Sequence, residues 1–291
     1  MELKTVVYEK ENVGEGAIAT ITLNKPETMN AMDVELSEDI LAALTQAEED
    51  DDVKVVIFKG NGRCFSTGYD LSRVYYVYGA GTGKEKDKTR RPSQRSRLKY
   101  DLWRSGTLRR IYNCPKVTIA QIHGYCIGGG LYVALCCDMA MAAEDAKISH
   151  MEQRLVFSGA LYVLPIEIMH IGPKKSRELL LTGKTIDGNE AERIGLVNKA
   201  VPVDKLEEET KKLATTVTLL PRDGIAIGKS MAQLAYDSLG LNSSFSQGYL
   251  GHTMATNVRF EPDEFNFIKT RRDLGVRDAI KARDKRYEGL V

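Results

Sequence analysis

Along residues 17–23 apolar side chains return at every second position, so that Ala17, Ala19, Ile21 and Leu23 share one side of an extended chain. Period two is the signature of a strand with one buried face. Val6-Val7-Tyr8 predicts a partner strand across a turn-rich stretch at 12–16. Asn24-Lys25-Pro26 ends the pattern, because proline has no N–H to give to a ladder. From Asp33 the period lengthens. Leu36, Ile40 and Leu44 recur every fourth residue, which predicts a helix with Asp33 as its N-cap. The acidic run at 48–52 closes that helix as a solvated turn. Residues 53–58 then form a continuous β-rich run, a buried strand, turned by Gly60-Asn61-Gly62.

Further along, the pattern predicts a helix over 98–112 and strands over 117–122 and 139–142. Helices at 160–170 and 174–181 are separated near Gly172, and Asp187 caps a short helix that Gly195 stops. A strand at 196–201 follows. From residue 204 onward helix succeeds helix: 205–219, 222–239, 243–258, 262–274 and 277–287. Strands alternating with helices imply an α/β core with parallel crossovers. The expected organisation is a core over 1–203 and a helical region over 204–291.

Composition narrows the partners. The formal net charge is +1, with 43% hydrophobic and 28% charged residues, so neither a nucleic-acid nor a membrane-surface signature exists overall. Residues 117–137 lack full charges and are long enough to span a bilayer. They also carry Gln121, His123 and three consecutive glycines, which favours a buried strand, turn and helix. The first residues lack the basic-then-apolar layout of a leader. Five cysteines with no CxxC pair read as free thiols in a cytoplasmic protein. No His/Cys/Asp spacing suggests a metal, and no GxGxxG opens a helix after a strand. One region departs from the average. Residues 72–110 hold twelve Lys/Arg against three Asp/Glu, with a glycine-rich, basic insertion at about 79–97. It reads either as a solvated mobile loop or as an electropositive lid near a phosphate-bearing ligand.

The chemistry is concentrated at 116–138, where a strand runs through Gly128-Gly129-Gly130 into a short apolar helix. Glycine lets a backbone approach a ligand, and a helix N-terminus presents free N–H groups. A second close-backbone stretch, Thr67-Gly68-Tyr69, follows a different strand. A carbonyl oxygen held between Tyr69 N–H and Gly129 N–H would be polarised toward an enolate. One such donor is worth about 3–4 kcal/mol of barrier.

These residues resemble the crotonase (enoyl-CoA hydratase/isomerase) superfamily. The matching pieces are Ile21-Thr22-Leu23-Asn24-Lys25-Pro26 with Asn30-Ala31-Met32, and Phe65-Ser66-Thr67-Gly68-Tyr69-Asp70-Leu71. Pro115-Lys116 through the glycine triplet to Cys137-Asp138 also matches, as do Leu181-Thr182-Gly183, Glu190-Ala191 and Gly195-Leu196-Val197. The similarity spans about 6–203. The resemblance implies a crotonase-like (ClpP/crotonase) spiral of ββα units, a C-terminal helical trimerisation region, and homotrimers or homohexamers. It implies an acyl-CoA thioester as substrate, which carries its own coenzyme A, so no cofactor is expected. Tyr69 and Gly129 become the oxyanion donors. Lys25 falls near the CoA phosphates, and Ala31, Phe65, Thr67, Gly68, Asp70, Leu71, Gly128 and Tyr132 fall around the substrate.

One departure is informative. Family hydratases carry two glutamates twenty positions apart, the first lying two positions after the triplet. Here those positions hold Tyr132 and Glu152. Glu152 is therefore the single expected acid/base carboxylate. Tyr132, with an unperturbed pKa of about 10, reads as pocket wall rather than base. His150, two residues from Glu152, reads as structural or as a pocket residue; His123 and Cys126 read as structural. The leading expectation is an enoyl-CoA hydratase-type lyase. Isomerisation, ring-opening hydrolysis and retro-aldol cleavage keep the same enolate. A non-catalytic acyl-CoA-binding or RNA-binding relative is the reading from another class. For RNA, the basic run offers little aromatic interleaving beyond Tyr100 and Trp103.

Overall fold

One hairpin and four parallel crossovers build the central sheet. The structure is a computed structural model describing residues 3–72, 93–155, 162–255 and 260–290. β1 (Val6–Val13) pairs antiparallel with β2 (Gly16–Leu23) across Gly14 and Glu15. β3 (Val53–Gly60), β4 (Val117–Ile122), β6 (Met139–Ala143) and β8 (Lys199–Val201) add in parallel, in the order β1-β2-β3-β4-β6-β8. β5 (Tyr125–Ile127) and β7 (Lys147–Ser149) stand apart as a second, two-stranded parallel sheet.

Helices cover both faces, which changes one expectation. β2 does not have a single buried side: Ile18 and Thr22 are buried along with Ala17, Ala19, Ile21 and Leu23. This is normal for a strand inside a parallel sheet. α1 (Val34–Glu49) starts where Asp33 accepts a hydrogen bond from Leu36 N–H at 3.0 Å. Its Leu36, Ile40 and Leu44 are fully buried, each contributing about 1.5–3 kcal/mol. α6 (Leu206–Thr218) packs on β2, β3, β4 and β6. Leu206 and Ala214 belong to the same core, and Lys54 of β3 donates to the Thr218 and Leu220 carbonyls. A boundary at 203 therefore does not mark the edge of the core.

Other element ends differ for local reasons. α2 (Gln94–Tyr112) begins four residues earlier than the periodicity predicts, because Ser93 accepts from Ser96 N–H. Residues 94–97 of the basic insertion are thus helical, with Arg97 buried. The part of the insertion before residue 93 lies outside the described residues. The expected helices at 160–170 and 174–181 share one span, α4 (Leu164–Thr182), broken at Gly172 with φ 74° and followed by Pro173. α5 (Gly188–Ile194) is capped by Asp187 and stopped by Gly195, as predicted. β8 is shorter than 196–201, because Leu196 and Val197 N–H turn back to the Ala191 carbonyl. α3 (Gly129–Cys136) follows β5 directly. The chain ends with α7 (Arg222–Ser238), α8 (Ser243–Ala255), α9 (Phe267–Leu274) and α10 (Val276–Lys285). Residues 117–137 become β4, β5 and α3, and among the described residues no helix is long and apolar enough to cross a membrane.

Candidate active site

The small β5–β7 sheet assembles the site. Pairing of Ile127 with Ser149 sets the end of β5 beside the end of β7, and Gly128 N–H donates to the Ser149 carbonyl at 3.1 Å. The chain leaving β7 forms a single 3-10 turn, Met151–Arg154. That turn brings the Glu152 carboxylate against Gly128, where a Cβ would lie 2.3 Å from Oε1. Gly128 also adopts φ 52°, so two independent constraints demand glycine there.

The loop carrying Tyr69 arrives beside β5. Ser66 N–H donates to the Tyr125 carbonyl, and Ile127 N–H donates to the Ser66 carbonyl, both at 3.0 Å. Two further bonds fix the peptides around Tyr69: Met32 N–H to the Gly68 carbonyl, and Asp70 N–H to the Met32 carbonyl. Asn30 braces this arrangement from below. It is fully buried at φ 54°, and its amide donates to the carbonyls of Asn61, Cys64 and Phe65. A Cβ on Gly68 would lie 2.9 Å from Gly129 N, so the two loops meet backbone to backbone. Among the described residues, neither Tyr69 N–H nor Gly129 N–H has a hydrogen-bond acceptor. Gly129 opens α3, so its N–H has no partner within the helix.

The cavity beside these amides takes Thr67, Gly68, Tyr69 and Leu71 from one loop and Ile127, Gly128 and Tyr132 from the other. Met151, Glu152 and Leu155 close a second side. Seven of the twelve expected site residues therefore line one cavity, and Gly129 adjoins it through the Tyr69 ring. The remaining four do not line it. Lys25 pairs with Asp33. Ala31 sits in the bracing turn, where its N–H donates to the Thr28 carbonyl. Phe65 is fully buried, and Asp70 accepts from Ser72.

Electrostatics separate the candidates. Burial, followed by the charge of Glu152, pushes the Tyr132 phenol well above 10, so it keeps its proton near neutrality. Glu152 Oε2 is buried with no hydrogen-bond partner among the described residues. Tyr69 lies under the Arg104 guanidinium, 3.4 Å from its ring centroid. Its phenol is also pushed up by burial, against the lowering effect of Arg104. His150 does not line the cavity. It is fully buried against Glu167, and although burial alone lowers its pKa, the Glu167 charge and hydrogen bond raise it overall. His123 bonds to the Gly62 carbonyl, and burial raises the Cys126 thiol. Among the described residues no cluster of three His, Cys, Asp or Glu is arranged to hold a metal.

Four lining residues carry no sequence motif: Arg104 of α2, Tyr162 before α4, His252 of α8 and Arg283 of α10. Asp101, one turn before Arg104, is fully buried and joins two of them. Tyr162 donates to its Oδ1 at 2.8 Å, and His252 Nδ1 lies 3.1 Å from the same oxygen. Thr253 donates to Oδ2 at 2.8 Å. Only the contact of α2 with α8, made by residues 152 positions apart, brings this group together.

Two loops that meet backbone to backbone beside a buried carboxylate, on a crotonase-type α/β fold, place this chain in a known class of enzymes. The chain belongs to the enoyl-CoA hydratase/isomerase family, whose model matches residues 14–259. It is an acyl-CoA-processing enzyme of hydratase type. It is similar to a crystallised enoyl-CoA hydratase/isomerase from Xanthobacter autotrophicus, 30% identical with a TM-score of 0.81, covering 98% of this chain and 99% of that one. A Thermus thermophilus protein named as an enoyl-CoA hydratase is 33% identical over 80% of this chain and 87% of its own length. The hydroxycinnamoyl-CoA hydratase-lyase of Pseudomonas fluorescens is 32% identical over 72% of this chain and 71% of its own.

Proposed function

We propose that the protein adds water across the double bond of a 2-enoyl-CoA thioester. The thioester oxygen lies between Tyr69 N–H and Gly129 N–H, and Glu152 exchanges a proton with the α-carbon. The observation that carries this reading is the abutment of Glu152 on Gly128. This contact supports the reading because Gly128 precedes Gly129, the second proposed donor, and the α-carbon is one bond from the carbonyl carbon. Isomerisation is the second reading, favoured by Tyr132 at the position of the other glutamate, since moving a double bond needs only one shuttling base. The purified protein is expected to bleach the conjugated-thioester absorbance of at least one member of a panel of short, branched and cyclic 2-enoyl-CoA esters, giving a 3-hydroxyacyl product by mass spectrometry. A shifted double bond without added water would select isomerisation. Binding without turnover across the panel would overturn both.

A homotrimer, or a homohexamer made of two, is the assembly we infer. Its support is the bare face of α7, where Ile227, Met231 and Leu234 are each more than 60% exposed at helical spacing. Light scattering is expected to give three or six chains per particle. The Met231→Asp, Leu234→Asp double variant is expected to give smaller particles with unchanged circular dichroism, because neither side chain supports the fold of one chain. A monomeric parent would reject the assembly. The cytoplasm is the location we infer, supported by five buried cysteines that remain free thiols.

A further inference from the structure

We propose that His252, held by Asp101, is the second acid/base group of the site and activates the water that adds to the substrate. This rests on the hydratase reading above.

Asp101 orders the histidine. Its carboxylate is fully buried and accepts from Tyr162 and Thr253, leaving Oδ1 also within 3.1 Å of His252 Nδ1. With its proton on the Nδ1 side facing Asp101, the neutral imidazole has its basic nitrogen at Nε2. The imidazole stacks on the Tyr162 ring, with centroids 5.1 Å apart, and lines the same cavity as Glu152. The charged and titratable groups that touch the imidazole or share its cavity are Asp101 and Arg104 of α2, Tyr162, Glu152 of the 3-10 turn, Tyr132 of α3 and Arg283 of α10. Burial lowers the His252 pKa below 6.5 despite the raising effect of Asp101, and Arg104 lowers it further. The ring is thus neutral at pH 7, as a base requires.

Hydration needs two proton sites, and the sequence motif supplies one. Glu152 adjoins the oxyanion amides and so serves the α-carbon. His252 stacks on Tyr162, whose ring in turn meets Tyr132 edge-on with centroids 6.0 Å apart. In the step, water loses a proton to His252 Nε2 while its oxygen bonds to the β-carbon. The π electrons move onto the thioester oxygen, held by Tyr69 N–H and Gly129 N–H. The enolate then takes a proton at the α-carbon by way of Glu152. The proton on His252 returns to Glu152 through solvent, so water is added and nothing is oxidised.

The test uses the full-length protein and the best-turned-over ester of the panel. His252→Gln is expected to lower kcat by about 10²–10⁴-fold. KM and the affinity for the saturated acyl-CoA should change by less than about threefold. The parent loses kcat/KM as pH falls below 6.5, because protonation blocks Nε2; His252→Gln lacks that acid limb. Asp101→Asn, a positioning change, is expected to move the limb to lower pH, since a carboxylate that favours imidazolium is gone. Added imidazole should restore His252→Ala in proportion to its free base. In D2O, His252→Gln should still exchange the α-proton of a saturated acyl-CoA, whereas Glu152→Gln should not. A parent that hydrates normally while His252→Gln keeps its kcat and acid limb overturns this assignment alone. Loss of turnover together with thioester affinity, unrescued by imidazole, assigns His252 to structure and also overturns it. A parent that hydrates no ester overturns the hydratase reading with it.

Discussion

Glu152→Gln lowers the kcat for hydration by about 10²–10⁴-fold and leaves KM nearly unchanged, because the lost function is proton transfer rather than binding. The substitution is isosteric. The amide fits against Gly128 as the carboxylate does, where the nearest approach to a hypothetical Cβ is already 2.3 Å. Glu152 Oε2 is buried without a hydrogen-bond partner among the described residues, so the substitution removes no hydrogen bond from that oxygen. Thermal melting is therefore expected to stay the same or rise as activity collapses, the exchange typical of a group retained for chemistry. Steady-state kinetics and calorimetry on the same preparation check both halves. A variant with parental kcat would remove Glu152 from the reaction. A variant that melts many degrees lower would recast it as a structural residue.

Different parts of this site were legible to different degrees in the sequence. The Tyr132 and Glu152 register was readable because local geometry carries it: the rest of α3, then β6 and β7, occupy the nineteen intervening positions. Asn30-Ala31-Met32 was readable as a motif, yet its physical work was not. Nothing in the string reveals that a fully buried Asn30 ties three carbonyls together beneath the Tyr69 loop. β5 and β7 escaped the periodicity because three residues cannot establish a period. Their existence depends on pairing across the site rather than on propensity.

The Asp101–His252 group lay beyond sequence reasoning for a plainer reason. Asp101 sits in a stretch dominated by basic residues, and His252 sits in a helix without a marked apolar face. Each looks like a surface residue alone. Only the packing of α8 on α2 removes both from water, and removal from water is what turns a histidine and an aspartate into a coupled pair. Helices that follow the core in sequence cover the sheet and complete the cavity, so chain order and functional unit do not coincide.

Gly68→Ala is expected to lower kcat by about 10²–10³-fold, comparable with removing one oxyanion donor. Gly68 has φ 83°, a conformation that alanine adopts only under strain. A Cβ there would also meet the Ile127 carbonyl at 2.6 Å and Gly129 N at 2.9 Å. Both neighbours are backbone, so no rotamer change relieves the contact. The loops must separate, and the Tyr69 and Gly129 amides separate with them. Two donors aimed at one oxygen tolerate little displacement, because each loses strength as its distance and angle leave the hydrogen-bonding range. Gly106→Ala supplies the comparison. A Cβ on Gly106, inside α2, has no atom within 4 Å, so that variant should keep parental turnover and gain slightly in stability. The binding of a 3-ketoacyl-CoA in its enolate form, followed by absorbance, separates the causes. Gly68→Ala should lose enolate affinity more than affinity for the saturated ester, which makes little use of the donors. Equal losses for both ligands would assign the defect to a collapsed pocket and remove the two amides from the proposed oxyanion site.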